Sequence, residues 1–209
     1  MIFFVTAIGT DSGKTLISAI FSEALGADYW KPVQSGQPKD SDTVKVLVSK
    51  KITVHPETYC LNTPASPHVA AKIDGISISL EKFSIPNYKD HLIIEGAGGL
   101  LVPLNEEDKI ADLIVKLNVP VILVVNLYLG CINHSLLTIE ALKIRKITIA
   151  ALVFNGDPNK ESEQQIKKHA NTKQVFHVGN EKNVDVEMVK RNAAKLLKKI
   201  KSETWGWKI

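Results

Sequence analysis

Short runs of Val, Ile and Leu alternate with longer amphipathic segments along most of this chain. The apolar runs are continuous, which is typical of strands that are covered on both faces. They lie at Ile2–Thr6, Tyr29–Val33, Leu92–Ile94, Val121–Val125, Ile147–Phe154 and Val175–Val178. The segments between them predict helices at Lys14–Leu25, Asp108–Leu117, Ile132–Lys143, Glu161–His169 and Val186–Lys199. A repeated strand–helix–strand order predicts a doubly wound α/β fold, with a mainly parallel sheet and helices on both faces.

Length and composition favour one domain over residues 1–209. The chain is 44% hydrophobic and 23% charged, as is usual for a globular protein. A net charge of +4 suits anionic ligands and does not indicate a nucleic-acid partner. Two cysteines, Cys60 and Cys131, provide neither a disulfide framework nor a zinc motif. No leader or membrane-spanning run is recognisable, so we expect a cytoplasmic protein with packed, reduced thiols and no membrane partner.

A phosphate-binding loop follows the first predicted strand. Ligands of open parallel sheets bind at the carboxyl ends of the strands. There the chain reads Thr10–Thr15, with Gly13 and Lys14 directly before a helix. Glycine lets backbone N–H groups approach phosphate oxygens closely. In such a loop Lys14 reaches the outer phosphates, and the Thr15 hydroxyl can coordinate Mg²⁺. Ile8 stands where the standard phosphate-loop pattern has glycine. The predicted nucleotide contacts are Asp11, Ser12, Gly13, Lys14, Thr15 and Leu16.

Charged residues follow two other strands. Lys31 stands after Tyr29-Trp30 and is either a site residue or a surface charge. Asp42 belongs to an acidic segment that either caps a helix or supplies a Mg²⁺ carboxylate. Glu95 ends a buried strand before a glycine run, in the place of a Walker B carboxylate, and therefore predicts a metal ligand.

Two further loops are candidates for ligand contacts. Gly130 can begin a helix whose N–H groups accept a carboxylate, whereas His134 is more simply a structural group. Asn155 follows the strand that ends at Phe154 and can hydrogen-bond a nucleotide base. The guanine-reading Asn-Lys-x-Asp pattern is absent there.

These motifs, in this order, resemble the dethiobiotin synthetases, which are P-loop NTPase-like enzymes. The resemblance extends from Phe4 to about Asn155. The matching segments are Thr10–Thr15, Lys31-Pro32-Val33-Gln34-Ser35-Gly36, Asp42, Ser66-Pro67-His68, Glu95-Gly96-Ala97-Gly98-Gly99, Pro120–Val125 and Gly130-Cys131-Ile132-Asn133-His134.

The resemblance implies an ATP- and Mg²⁺-dependent cyclo-ligase of biotin biosynthesis. The family joins CO₂ to 7,8-diaminononanoate through a carbamate and a carbamic–phosphoric anhydride. Lys14, Lys31, Thr10 and Ser35 match its catalytic positions, and Thr15, Asp42 and Glu95 match its metal ligands. Gly96, Ala97 and Gly98 complete the expected nucleotide contacts. The family is homodimeric, and Ser35 together with Gly130, Cys131 and Asn133 is expected to bind substrate, the last three from the partner subunit.

The sequence also departs from the family. Ala7 and Ile8 replace its usual Gly-Thr, and Asp11 replaces its Glu. The adenine-holding segment is here His177–Asn180, which leaves the base preference open. The tail with Trp205 and Trp207 has no counterpart and is expected to be a loosely docked end.

Two other functions remain as alternatives. The fold and the unusual loop also suit a MinD/ParA-like switch NTPase, whose C-terminal helix would lie on a membrane surface. That group has an additional lysine early in the loop, which is absent here. A simple nucleotide-binding module is the other alternative. Either one leaves Lys31 and Ser35 without a role.

Overall fold

The computed structural model describes residues 1–202 and residue 207. Nine strands and seven α-helices make up this part of the chain. In chain order they are β1 (Ile2–Ala7), α1 (Lys14–Leu25), β2 (Asp28–Trp30), β3 (Val33–Ser35), α2 (Asp40–Leu47), β4 (Val54–His55), β5 (Tyr59–Leu61), α3 (Pro67–Asp74), β6 (Leu92–Glu95), α4 (Ile110–Leu117), β7 (Val121–Asn126), α5 (Cys131–Ile144), β8 (Ile149–Asn155), α6 (Lys160–Ala170), β9 (Val175–Val178) and α7 (Val186–Lys201).

Seven of these strands form one sheet in the order β4-β2-β6-β1-β7-β8-β9. Every neighbouring pair in it is parallel. After β1 the chain forms β2 and β4 on one side of the sheet. It then places β6 between β2 and β1, and adds β7, β8 and β9 in sequence on the other side of β1. The predicted doubly wound parallel sheet is therefore confirmed, and the carboxyl ends of β1, β2 and β6 meet at one edge.

The core lies in two layers, one on each face of the sheet. Along β7, Val121, Leu123 and Val125 pack in one layer, and Ile122 and Val124 pack in the other. All five of these side chains are fully buried. Burial on both faces explains why the strand sequences are continuously apolar.

The predicted strand Tyr29–Val33 is divided in the structure. Its first part is β2 in the large sheet, whereas Val33–Ser35 is β3, which pairs with β5 in a separate two-stranded sheet. Pro32 stands between them and has no N–H to continue a ladder, while its carbonyl accepts a hydrogen bond from Tyr59. After this break the chain leaves the large sheet, and the residues of β3 line a cavity that is described below.

One residue of the C-terminal tail is docked. The Trp207 ring stacks on Phe3 with 4.4 Å between centroids. Trp205 lies outside the described residues. Cys60 is exposed and Cys131 buried, and both are free thiols, so only Cys131 is packed as expected. Among the described residues, none of the helices has the length and apolar character needed to cross a bilayer.

Candidate active site

The conformation of the loop between β1 and α1 is fixed by hydrogen bonds of its side chains. The buried Ser12 hydroxyl lies 3.1 Å from the Gly9 carbonyl and 2.8 Å from Asn126 Oδ1. The Lys14 ammonium donates to the Gly9 carbonyl at 3.1 Å, which places its charge over the loop. Because α1 begins at Lys14, the free N–H groups of its first turn lie at the same place. The loop therefore offers a positive, donor-rich cradle to phosphate.

Asn155 supports the loop from behind. Its side-chain nitrogen donates to the Ser12 carbonyl at 3.0 Å. A Cβ at Gly13 would lie 2.3 Å from that nitrogen, and Gly13 has a φ of +87°. Glycine is required here both for the left-handed backbone and for the space that Asn155 occupies.

This packing predicts a large effect for Gly13→Ala, with Gly75→Ala as the matched control. Gly75 also has a positive φ, but a Cβ there would meet nothing within 4 Å. Both variants carry the cost of a left-handed alanine, and only Gly13→Ala adds the collision with Asn155. We expect Gly13→Ala to lose about 1–3 kcal/mol more of unfolding free energy. Denaturant unfolding of both variants measures the difference, and equal losses would contradict the packing argument.

A buried charge cluster lies beside the loop. The Glu95 carboxylate is 1% exposed and accepts hydrogen bonds from Thr15 at 2.9 Å, Tyr29 at 2.8 Å and Lys31 at 3.0 Å. The Lys31 ammonium also pairs with Asp40 and donates to a backbone carbonyl at 3.2 Å. The tip of β6 thus meets α1, β2 and the start of α2 in one network.

The environment shifts the pKa values of this cluster. Burial, reinforced by the charge of Lys31, lowers the pKa of Lys14 to about 8. Burial also acts to lower the pKa of Lys31, but the Glu95 and Asp40 carboxylates outweigh it, and the pKa is raised. Burial and the neighbouring Glu95 raise the pKa of Tyr29 well above its ordinary value. Lys31 is therefore a fixed charge, whereas the pKa of Lys14 would be raised by a bound anion.

A cavity of about 730 Å³ opens over this cluster, a size that suits a nucleotide or another small ligand. It brings together ten of the residues predicted from the sequence: Thr10, Asp11, Gly13, Lys14, Thr15, Lys31, Ser35, Glu95, Ala97 and Gly98. The Ser35 hydroxyl is buried and makes no hydrogen bond within the described residues. Buried hydroxyls are normally paired, so this one is open to a partner in the cavity.

Asp42, a predicted metal ligand, does not line the cavity of this structure. Its side chain is 61% exposed and pairs with Lys45 at 3.4 Å, whereas Asp40 lines the cavity. The cause is the start of α2, whose first residue is Asp40. Two residues on a helix differ by about 200° in direction, so Asp40 and Asp42 face different surroundings.

Other predicted residues lie away from the cavity lining. Ser12 and Asn155 use their side chains to brace the loop, and Leu16 and Gly96 contribute to packing. Gly130, with a φ of +104°, precedes α5. Cys131 is buried and Asn133 exposed, and neither lines the cavity of this chain.

Several residues of the site had no assigned role in the sequence, and three of them shape the charge cluster or the cavity wall. Asp40 belongs to the same acidic segment as Asp42, so the sequence did contain a signal for it. Tyr29 looks like an ordinary strand residue until its hydroxyl is placed against Glu95. Gln34 donates from its amide to the Gly36 carbonyl at 3.2 Å and shapes the wall of the cavity.

The cluster also has the donor chemistry that Mg²⁺ requires. No group of three or more His, Cys, Asp or Glu side chains suited to a metal occurs in residues 1–202. Magnesium in nucleotide enzymes is held by one or two carboxylates and by phosphate oxygens and water. Thr15, Glu95 and Asp40 provide a hydroxyl and two carboxylates next to the phosphate cradle, so these residues fit the ion as a partner of bound nucleotide.

The fold and the site define the class of protein as a P-loop-type nucleotide-binding α/β protein. A family model described as an AAA domain matches residues 2–188. A ParA family ATPase from Chlorobium tepidum superposes with a TM-score of 0.51 over 98% of this chain and 95% of that chain. Its sequence is 14% identical, so this likeness concerns the fold alone.

Curated relatives identify the family within that class. A protein of Cytophaga hutchinsonii named ATP-dependent dethiobiotin synthetase BioD is 51% identical, over 93% of this chain and 96% of that protein. A protein of the same name from Christiangramia forsetii is 49% identical, over 95% and 97%. The chain belongs to the ATP-dependent dethiobiotin synthetase family.

Proposed function

We propose that this protein uses ATP to join CO₂ to 7,8-diaminononanoate and close the ureido ring of dethiobiotin, releasing ADP and phosphate. The observation that carries the proposal is the buried pair Lys14 and Lys31, at 7% and 3% exposure, in the wall of one cavity beside the phosphate loop. Family membership supplies the substrate class. Two buried ammonium groups suit a reaction in which two anions must meet.

The proposed reaction requires positioning rather than a protein nucleophile. One amine of the substrate takes up CO₂ as a carbamate, and a carbamate oxygen attacks the γ-phosphorus with loss of ADP. The second amine then attacks the carbamate carbon, its C–O bond to phosphate breaks, and the ring closes. A carbamate and a triphosphate repel each other, so holding them together in a dry, positive site accounts for most of the catalysis.

The residues divide these tasks. Lys14 neutralises the outer phosphates, since its ammonium already lies over the loop. Lys31, held by two carboxylates, stabilises charge on the carbamate and the transferring phosphoryl group. The free Ser35 hydroxyl and Thr10 orient the amine or carbamate. Thr15, Glu95 and Asp40 would hold Mg²⁺, which supplies neutralisation of phosphate charge when bound.

An isotope experiment tests this reaction. A short incubation is started with C¹⁸O₂ in unlabelled water, with ATP, Mg²⁺ and the diamine. Attack by the carbamate oxygen transfers one ¹⁸O atom to each released phosphate, which mass spectrometry detects. Simple hydrolysis takes its oxygen from water, so unlabelled phosphate would contradict the proposed route.

The choice between Asp40 and Asp42 gives a prediction of its own. Both carboxylates stand on the first turn of α2, so Asp40→Asn and Asp42→Asn are matched variants. We expect Asp40→Asn to raise the Mg²⁺ concentration for half-maximal rate by about tenfold or more, because Asp40 lines the cavity. Asp42→Asn should leave it unchanged. The reverse pattern in a Mg²⁺ titration of the rate would show that Asp42 is the ligand.

We also propose that the protein acts as a cytoplasmic homodimer whose partner subunit binds the substrate carboxylate at Gly130, Cys131 and Asn133. Leu129, just before this helix start, is fully exposed, and Leu137 and Ile144 on α5 are 57% and 79% exposed. Such apolar exposure supports a protein contact at this face. A monomer in sedimentation equilibrium at micromolar concentration would contradict the dimer.

A further inference from the structure

Tyr29 is a fully buried tyrosine that the proposed mechanism does not use. Its ring packs in the core layer that contains α1, where phenylalanine would fill nearly the same space. In the sheet Tyr29 lies opposite Ile93 on β6, and Glu95 stands two residues further along that strand. Because strand side chains alternate between the two faces, Glu95 projects to the same face as Ile93. The register therefore brings a carboxylate within reach of the tyrosine hydroxyl.

The two oxygens of the Glu95 carboxylate have different partners. Oε1 accepts hydrogen bonds from the Thr15 hydroxyl at 2.9 Å and from the Lys31 ammonium at 3.0 Å. Among the described residues, Oε2 accepts from the Tyr29 hydroxyl alone, at 2.8 Å. Thr15 stands in the first turn of α1, directly after the phosphate loop. Oε1 is therefore the oxygen next to the phosphate cradle, whereas Oε2 is held by a residue of the core.

This division affects the kind of cation that Glu95 can bind. Mg²⁺ is small and requires near-octahedral geometry, whereas Ca²⁺ takes more oxygens in flexible geometry and readily uses both oxygens of one carboxylate. To offer both oxygens, Glu95 has to withdraw Oε2 from the Tyr29 hydroxyl, which would then lack a partner in the core. A buried hydroxyl without a partner is costly. The tyrosine therefore opposes ligation through both oxygens.

We propose that Tyr29 is a positioning residue that leaves only Oε1 of Glu95 to the divalent cation of the bound nucleotide and thereby favours Mg²⁺ over Ca²⁺. The inference rests on the proposed function, in which Mg²⁺ binds together with ATP. Tyr29 does not line the cavity and acts through Glu95 alone. Hydrogen-bond partners of metal ligands have effects of this kind.

A purely structural role is the competing explanation, and Tyr59 provides the control for it. Tyr59 is also buried, at 7% exposure, and its hydroxyl accepts the Ser79 N–H at 2.9 Å. It does not line the cavity. Tyr29→Phe and Tyr59→Phe both keep the ring and remove one hydrogen-bonded hydroxyl. Tyr59→Phe therefore reports what this loss does to stability alone.

The test is calorimetric titration with ADP in the presence of Mg²⁺, of Ca²⁺, or of a chelator without metal. The ratio of the Kd values in Ca²⁺ and in Mg²⁺ measures the discrimination between the two cations. Comparison with the parent cancels the affinity of each metal for free ADP. We expect Tyr29→Phe to reduce the ratio by about tenfold, through weaker binding with Mg²⁺ and unchanged or tighter binding with Ca²⁺. Its Kd without metal should equal that of the parent, and Tyr59→Phe should keep the parental values under all three conditions.

A parental ratio in Tyr29→Phe, with an unfolding temperature lowered as in Tyr59→Phe, would overturn the inference, because the hydroxyl would then support the core alone. Equal weakening under all three conditions would also overturn it, since that result reports a distorted loop rather than altered ligation of the cation.

Dethiobiotin assays of the parent protein distinguish this failure from failure of the proposed function. A parent that needs Mg²⁺ to form dethiobiotin, together with a parental ratio in Tyr29→Phe, contradicts the positioning role alone. A parent that forms no dethiobiotin, or forms it without a divalent cation, contradicts the proposed function and the inference with it.

Discussion

The Lys14→Ala variant is expected to form dethiobiotin about 10²–10³ times more slowly than the parent, the usual cost of removing one preorganised charge or donor at a developing anion. The Lys14 ammonium lies over the phosphate loop at 3.1 Å from the Gly9 carbonyl. Both the γ-phosphate and the attacking carbamate carry negative charge. Without Lys14 these anions approach with one fewer positive charge to offset their repulsion.

The same substitution should leave the fold intact. Burial lowers the pKa of Lys14 to about 8, so its charge is unfavourable in the ligand-free protein and its removal does not weaken the core. Lys45→Ala is the control, because Lys45 is exposed on α2, lies outside the cavity lining and pairs with Asp42. Steady-state rates and thermal unfolding of both variants test the prediction. Turnover within tenfold of the parent would refute the phosphate-loop assignment.

Glu95→Gln is expected to raise the Mg²⁺ requirement about 10–100-fold and also to destabilise the protein. Glutamine keeps the shape of the side chain but removes the negative charge that faces Thr15, Tyr29 and Lys31. The proposed Mg²⁺ site loses a ligand, and among the described residues the buried Lys31 ammonium keeps Asp40 as its charged partner. Loss of one partner from a buried ion pair costs about 3–5 kcal/mol, reduced here by the remaining carboxylate.

The measurement separates these two effects. Rates are titrated with Mg²⁺ at saturating ATP, and the unfolding temperature is recorded for the same samples. Glu23→Gln makes the same chemical change at a buried position away from the cavity, and it should lower stability without changing the Mg²⁺ titration. An unchanged titration in Glu95→Gln would show that this carboxylate is structural only.

Much of the fold follows from local sequence signals. Continuous Val and Ile runs predict buried parallel strands, and the runs at β1, β6 and β7 fall next to each other in the sheet. Their ends carry the phosphate loop and Glu95, so the centre of the site follows from the sequence as well. Parallel strands place their carboxyl ends at one edge, which is why motifs far apart in sequence meet there.

The remaining features depend on contacts that no local pattern encodes. β3 and β5 have three residues each, too few to display a periodicity. The start of α2 is set by Gln34 and Glu57, which lie six and sixteen positions from the residues that they hold. Because these ties begin the helix at Asp40, they decide which of two neighbouring aspartates faces the cavity. The docking of Trp207 on Phe3 joins the two ends of the chain and is equally nonlocal.

Phosphate release from ATP in the presence of Mg²⁺ and bicarbonate, measured with and without 7,8-diaminononanoate, tests the central claim most directly. The account predicts release that depends on the diamine, with one dethiobiotin formed for each phosphate. Hydrolysis that ignores the diamine, or that begins only when lipid or DNA is added, would contradict it and would point to a switch NTPase of the ParA kind.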